Sequence, residues 1–253
     1  MKKIILLLII GITLTSCAEL LQIASQTQIN QTTIPVTNAE NVSGLKSSLD
    51  VGIEKAVGLL GIENGFYNDA ALKLLLPAEA QPIIDNIKLI PGGKELVDKA
   101  ILSLNRSAED AVKEATPIFK TAIKNMTFSD VMGVLFGGEN AATQYLKTNT
   151  YSELKAAFAP KVKMSLGKPL LSNISTNESW NLLSNGYNSI ASTPIGLIAG
   201  LKKVNVNLEE YVTEKALNAL FIKVAQEEKA IRTDPVARVT TLLQRVFSQL
   251  DKK

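Results

Sequence analysis

Histidine is absent from all 253 residues, and cysteine and tryptophan occur once each. No imidazole is available as a general base or metal ligand. One cysteine makes no intramolecular disulfide and no cysteine-rich zinc site. Calcium loops of alternating Asp/Asn with a terminal Glu are missing, as are Gly-x-Ser-x-Gly elbows and phosphate loops. Pro91-Gly92-Gly93-Lys94-Glu95 lacks both the spacing and the hydroxyl residue of a phosphate loop. Any metal site would have to be all-carboxylate, and neither a metal nor a cofactor is expected. What is present is 46% hydrophobic and 20% charged, ample for a core in one large domain or two small ones.

The first residues account for part of the charge. Met1-Lys2-Lys3 is a short positive region, Ile4 to Ile12 is an apolar run interrupted only by Gly11, and Leu14-Thr15-Ser16-Cys17 follows. This is the layout of a secretory signal, too short for an ordinary membrane span. Leu-Thr-Ser-Cys resembles the lipobox of bacterial lipoproteins. That resemblance implies cleavage before Cys17 and lipidation of its thiol, with acyl chains holding the protein on a membrane. Ala18, where an aspartate would favour inner-membrane retention in that family, points to the outer membrane, facing the periplasm. Removal of residues 1–16 takes away Lys2 and Lys3, leaving 25 basic and 24 acidic side chains. A nearly neutral chain offers no basic face for nucleic acid. Residues 17–37, rich in Gln, Thr, Ser and Asn, read as a lipidated N-terminus and tether, and 38–253 as the helical domain.

From there helix signals recur. Start signals are Thr116-Pro117, Thr127 with Asp130, Thr150 with Glu153, Asn207 with Glu210, and Asp234-Pro235. Stop signals are Gly61, Gly92-Gly93 and Gly137-Gly138. Leu45, Leu49, Ile53, Ala56, Val57 and Leu60 form a stripe of helical period, as do Val97, Ile101, Leu104, Ala108, Ala111 and Ala115. Val236, Val239, Leu243, Val246 and Leu250 form a third. No alternating β-branched run is bounded by hairpin turns, and residues 66–77 are the least helical. The expectation is an all-α, single domain of about eight to ten helices.

Several stretches together resemble one family: Ser103 to Glu109, Asn125 to Phe128, Asn140 to Tyr145, Tyr211 to Leu217, Glu227 to Arg232, and Asp234 to Arg238. They look like the bacterial envelope lipoproteins of the domain of unknown function 4197, over about residues 40–248. The resemblance implies a helical domain behind a lipobox and no assigned activity; Ser192 to Val204 is the least similar part.

Chemistry has few footholds. Ser-x-x-Lys occurs at Ser43/Lys46, Ser152/Lys155 and Ser165/Lys168, but 17 serines and 23 lysines make such pairs by chance, and the strand motif that accompanies a serine acyl-transfer site is missing. Glu227 falls within an apolar helix face and Glu214 beside Leu217 and Phe221, where an unpaired carboxylate is costly. Arg106, flanked by Asn105 and Glu109, is a candidate partner. Asn105, Arg106, Glu109, Glu214 and Glu227 read either as a polar pocket for an anionic or amphiphilic ligand or, preferred, as structural ion pairs or solvated faces. The Pro194 to Leu201 stretch reads as a loop tucked into the core, with a membrane-touching lip as the alternative. Arg238 and Arg245 read as a solvated face, with phospholipid headgroups as the alternative. The leading function is a non-enzymatic envelope protein that binds a partner protein or scaffolds. The alternative is a carrier or sensor of an amphiphilic ligand, and a carboxylate enzyme comes third.

Overall fold

Thr37 opens the first helix. Its hydroxyl accepts the Glu40 backbone N–H, and the Glu40 carboxylate accepts the Thr37 N–H, a reciprocal cap that satisfies two otherwise orphaned donors. The computed structural model describes residues 35–251, Ser172 excepted. The signal at 1–16, Cys17 and the tether up to residue 34 lie outside them. From Val36 on, the described residues form one helical unit, with ten α-helices and, among the described residues, no strand beyond an isolated bridge between Leu171 and Ile174.

The helices are α1 (Asn38–Leu60), α2 (Gln81–Asp85), α3 (Gly93–Val112), α4 (Ala115–Asn125), α5 (Val131–Leu135), α6 (Ala141–Gly167), α7 (Thr176–Ala191), α8 (Pro194–Ile198), α9 (Leu208–Thr233) and α10 (Thr241–Phe247). Helix α1 packs against α4, α9 and α10, while α6 packs against α3, α4 and α9, and α7 lies on α3. The first predicted stripe is the reason for the central place of α1. Leu45, Leu49, Ile53, Ala56 and Leu60 are all fully buried, and each leucine or isoleucine contributes about 1.5–3 kcal/mol relative to exposure. Two glycines let neighbours come close. A Cβ at Gly44 would lie 2.7 Å from Val246 on α10, and one at Gly52 would lie 3.1 Å from Val224 on α9.

Predicted boundaries fare unevenly. Asn207 caps α9 through the Glu210 N–H, and Asp234 accepts from Val236. Thr116-Pro117 is not a cap: α4 starts at Ala115, only two residues after α3, and no side chain caps it. Thr150 lies inside α6, its hydroxyl donating to the Leu146 carbonyl. Asp130, rather than Thr127, caps α5. Residues 66–77 are non-helical, as expected. The third stripe is interrupted. Asp234 ends α9, a 3-10 turn spans Pro235–Ala237, and α10 restarts at Thr241, so Leu243 and Val246 are buried while Val236 and Val239 face outward at 87% and 60% exposure.

Candidate functional site

Two buried polar clusters organise the unit, and each has a polar partner for its charge. In the first, Asn105 on α3 accepts the Leu74 N–H at 2.9 Å and donates to the Leu74 carbonyl at 2.8 Å. One turn on, Glu109 accepts the backbone N–H groups of Phe66 and Tyr67 at 3.2 and 3.3 Å. Arg106 donates to Glu109 at 2.6 Å and to Glu63 and Asn64 at 3.0 and 2.9 Å. Asn64 sits in the left-handed region, at φ 66°, which asparagine tolerates best among residues with a Cβ. Asn105 and Glu109, one turn apart on α3, thus hold the 63–74 segment by its backbone, which would otherwise bury unsatisfied amides. On the adjoining face, Ser107 and Thr176 share a hydrogen bond of 2.7 Å, and Ser103 reaches Ser179 at 3.2 Å, joining α3 to α7.

The second cluster lies on α9. Glu228, fully buried, accepts the N–H groups of Ala142 and Thr143 at 2.9 and 2.7 Å and the Thr143 hydroxyl at 2.6 Å. Arg232 donates to Glu228 at 2.8 Å and to the carbonyls of Leu135 and Val134 at 2.6 and 3.0 Å. Nearby, Arg238 is buried and grips Asp251 with two hydrogen bonds of 2.6 and 2.7 Å; its guanidinium holds the Asp251 carboxyl below the usual range. Arg245 reaches Glu40 at 3.0 Å. The solvated face drawn from Arg238 and Arg245 is therefore corrected: Arg238 is consumed inside the fold.

The five predicted pocket residues fall into three separate places. Asn105, Arg106 and Glu109 are together on α3. Glu227 pairs instead with Lys55 of α1, and Glu214 with Lys155 of α6 at 2.6 Å. Arg106 meets neither glutamate, so the polar pocket built from all three does not form. Sequence reasoning passed over Glu228 and Arg232. The signal was their i, i+4 acid-to-base spacing, the favoured orientation for a helical pair.

The Ser-x-x-Lys lysines are likewise committed. Lys155 bonds Glu210 and Glu214, which push its ammonium pKa up, the wrong direction for a base that must lose a proton near neutrality. Burial raises the Asp110 carboxyl, but hydrogen bonds from Lys168 and Ser165 outweigh it and leave it below its ordinary value. Lys46 donates to the Lys124 carbonyl at 2.7 Å. Among the described residues, no three His, Cys, Asp or Glu side chains are placed to hold a metal, and no helix is long and apolar enough to cross a membrane.

What the surface offers is a groove between α4 and α6, with a volume of about 750 Å³. Ile118 and Ala122 line it from α4; Thr150, Leu154 and Ala157 line it from α6. Asn125, Asn149 and Glu153 add polar groups, and Met126, Thr127 and Tyr145 lie at one end. That end is fixed: the Tyr145 hydroxyl donates to the Thr127 carbonyl at 2.8 Å, and its ring stacks on Phe128 with centroids 5.0 Å apart. A second exposed feature is α8. The expected core loop at 194–201 is corrected, because Ile195, Leu197 and Ile198 are 80%, 66% and 88% exposed.

A family model described as a protein of unknown function (DUF4197) matches residues 35–248. No curated protein and no solved structure matches the chain.

Proposed function

The chain belongs to the DUF4197 family of proteins of unknown function, and on that footing we propose that it is a lipid-anchored, non-enzymatic binding protein of the bacterial envelope. In this reading Cys17 carries the acyl chains, the domain faces the periplasm from the outer membrane, and the α4–α6 groove receives an apolar helical segment of a partner protein. Support for the anchor comes from the sequence: the chain's one cysteine stands where the lipobox pattern requires it.

The groove is the observation that carries the binding reading. Ile118, Ala122 and Asn125 stand at i, i+4 and i+7 on α4, and Thr150, Leu154 and Ala157 at the same spacing on α6. Two such ridges side by side make the seat into which a third helix packs, and amphipathic segments are recognised in such grooves through anchors at helical spacing. Small residues at 122 and 157 leave room for a partner's larger side chains. Exposed Asn149 and Glu153 supply rim hydrogen bonds.

A second reading has one observation of its own. A volume of about 750 Å³ lies within the range of small-molecule sites, so an amphiphilic ligand is the alternative occupant. One experiment separates them. A photoreactive residue replaces Asn149, Thr121 or, as control, Leu59, one at a time, in the lipidated protein, which is irradiated in its own envelope. Protein adducts at 149 and at Thr121, but not at exposed Leu59, support the partner reading; lipid adducts confined to those positions support the carrier. Equal labelling at 149 and 59 rejects the groove. Acylation is read independently, as the mass of the mature N-terminal peptide beginning at Cys17, and an unmodified thiol there rejects the anchor.

A further inference from the structure

Helix α8 is built to project apolar side chains. Thr193 caps it, its hydroxyl accepting the Gly196 N–H at 3.0 Å. Gly196 folds the helix back over the end of α7, where a Cβ would come within 2.3 Å of the Ile190 carbonyl oxygen, so no larger residue fits without moving backbone. Gly200, at φ 71°, turns the chain back, which only glycine does without strain. The Leu201 N–H closes on the Gly196 carbonyl at 2.9 Å. The returning chain is then pinned by Asn188, whose side chain bonds both the N–H and the carbonyl of Val204 at 2.8 and 2.9 Å. These contacts fix a turn whose apolar residues point away from the core, and Ile195 and Ile198 are among the most exposed large hydrophobics described.

Along the chain, the charge next to the tip has one sign. Lys202 and Lys203 are both exposed, and between Ser189 and Asn207 they are the only charged residues. We infer that the α8 tip is a membrane-contact site: Ile195, Leu197 and Ile198 enter the outer edge of a lipid bilayer while Lys202 and Lys203 meet anionic headgroups. An apolar wedge flanked by lysines is the chemistry of interfacial binding, in which the apolar and electrostatic terms reinforce each other. The inference goes beyond the groove and rests only on the part of the proposed function that places the domain beside a membrane. The 18 residues between Cys17 and Val36 can span at most about 65 Å, so an anchor at Cys17 would keep the domain within that distance of the bilayer.

The test replaces the natural anchor, so that it does not depend on acylation. The chain from residue 17, carrying Cys17→Ser and an N-terminal hexahistidine, is held on vesicles by nickel-chelating lipid. An environment-sensitive fluorophore is attached at Ile198→Cys or, as control, at Leu59→Cys. On vesicles containing phosphatidylglycerol, the label at 198 shifts to the blue and is quenched by spin-labelled lipid, whereas the label at 59 is not. Neutral lipid, or Lys202→Glu with Lys203→Glu, weakens the quenching, because the insertion equilibrium falls roughly fivefold for each lysine interaction lost. A label at 198 that stays as water-exposed on anionic vesicles as the one at 59 overturns the inference. So does equal quenching at both positions. Failure of natural acylation would show only in the mass of the native N-terminus and would leave this result standing.

Discussion

Glu228 and Arg232, one turn apart on α9, hold the two ends of a single connection. Glu228 takes the first N–H groups of α6, and Arg232 takes the last carbonyls of α5. The residue before α6, Asn140, makes no side-chain cap; the missing acceptor is supplied from another helix, with the carboxylate at the positive end of the α6 dipole. Their own ion pair, 2.7 Å long and almost wholly buried, completes the arrangement.

Removing either partner leaves the other charged, buried and short of bonds. Glu228→Ala and Arg232→Ala should each cost about 3–5 kcal/mol in denaturant unfolding. The double substitution Glu228→Leu/Arg232→Leu should cost less than the two single truncations together, because no charge is stranded. Losses under about 1 kcal/mol for the single variants would contradict this structural role.

The loop clamp on α3 makes a different pattern. Arg106 and Glu109 should show coupling of about 0.5–3 kcal/mol in a double-mutant cycle, whereas Arg106 and Glu227, which share no partner, should be additive within about 0.5 kcal/mol. Asn105→Ala should cost about 1–3 kcal/mol by leaving both backbone groups of Leu74 unpaired. Hydrogen exchange should locate that loss in residues 63–74, with the amide of Leu74 losing protection first.

Asp50 carries a pH signature. One carboxylate oxygen on α1 is buried without a hydrogen-bond partner. Burial raises its pKa above the ordinary 3.8, with Lys120 and Lys46 opposing and Glu54 assisting. The folded state therefore holds this proton more tightly than the unfolded chain. Its contribution to stability is fully present below pH 3.8 and is lost as pH rises through the folded value. Asp50→Asn should raise the melting temperature at pH 7 and narrow or reverse its advantage below pH 4, with differential scanning calorimetry as the check. An Asn variant equally shifted at both pH values would rule out ionisation as the cause.

How much of this was legible in the sequence follows the physics of each element. Stripes on α1 and α3 were readable because each helix buries one apolar face. Helix α9 was harder: it is buried against α1, α3 and α6, so its apolar positions run round much of the circumference and mark no single centre. The apolar face therefore points to Glu227, which pairs with Lys55 at the edge, and not to Glu228. The break after Thr233 was signalled by Asp234-Pro235, yet the apolar spacing beyond it mimicked one continuous helix. The exposure of Ile195 and Ile198 was hidden because a glycine-rich apolar run looks the same in a core loop and on a projecting turn. The groove was illegible for another reason: it exists only where α4 and α6 lie side by side, and its residues come from both.

Binding by this protein rests on the α4–α6 groove as a seat for an apolar segment. Ala157 is exposed and lines that groove, so Ala157→Trp fills the seat without entering the core. The decisive measurement is photocrosslinking from position 149 in the Ala157→Trp background, alongside its melting temperature. If a partner segment occupies the groove, the melting temperature is unchanged and most of the adduct is lost. A full adduct yield from a normally folded Ala157→Trp protein would contradict that occupancy.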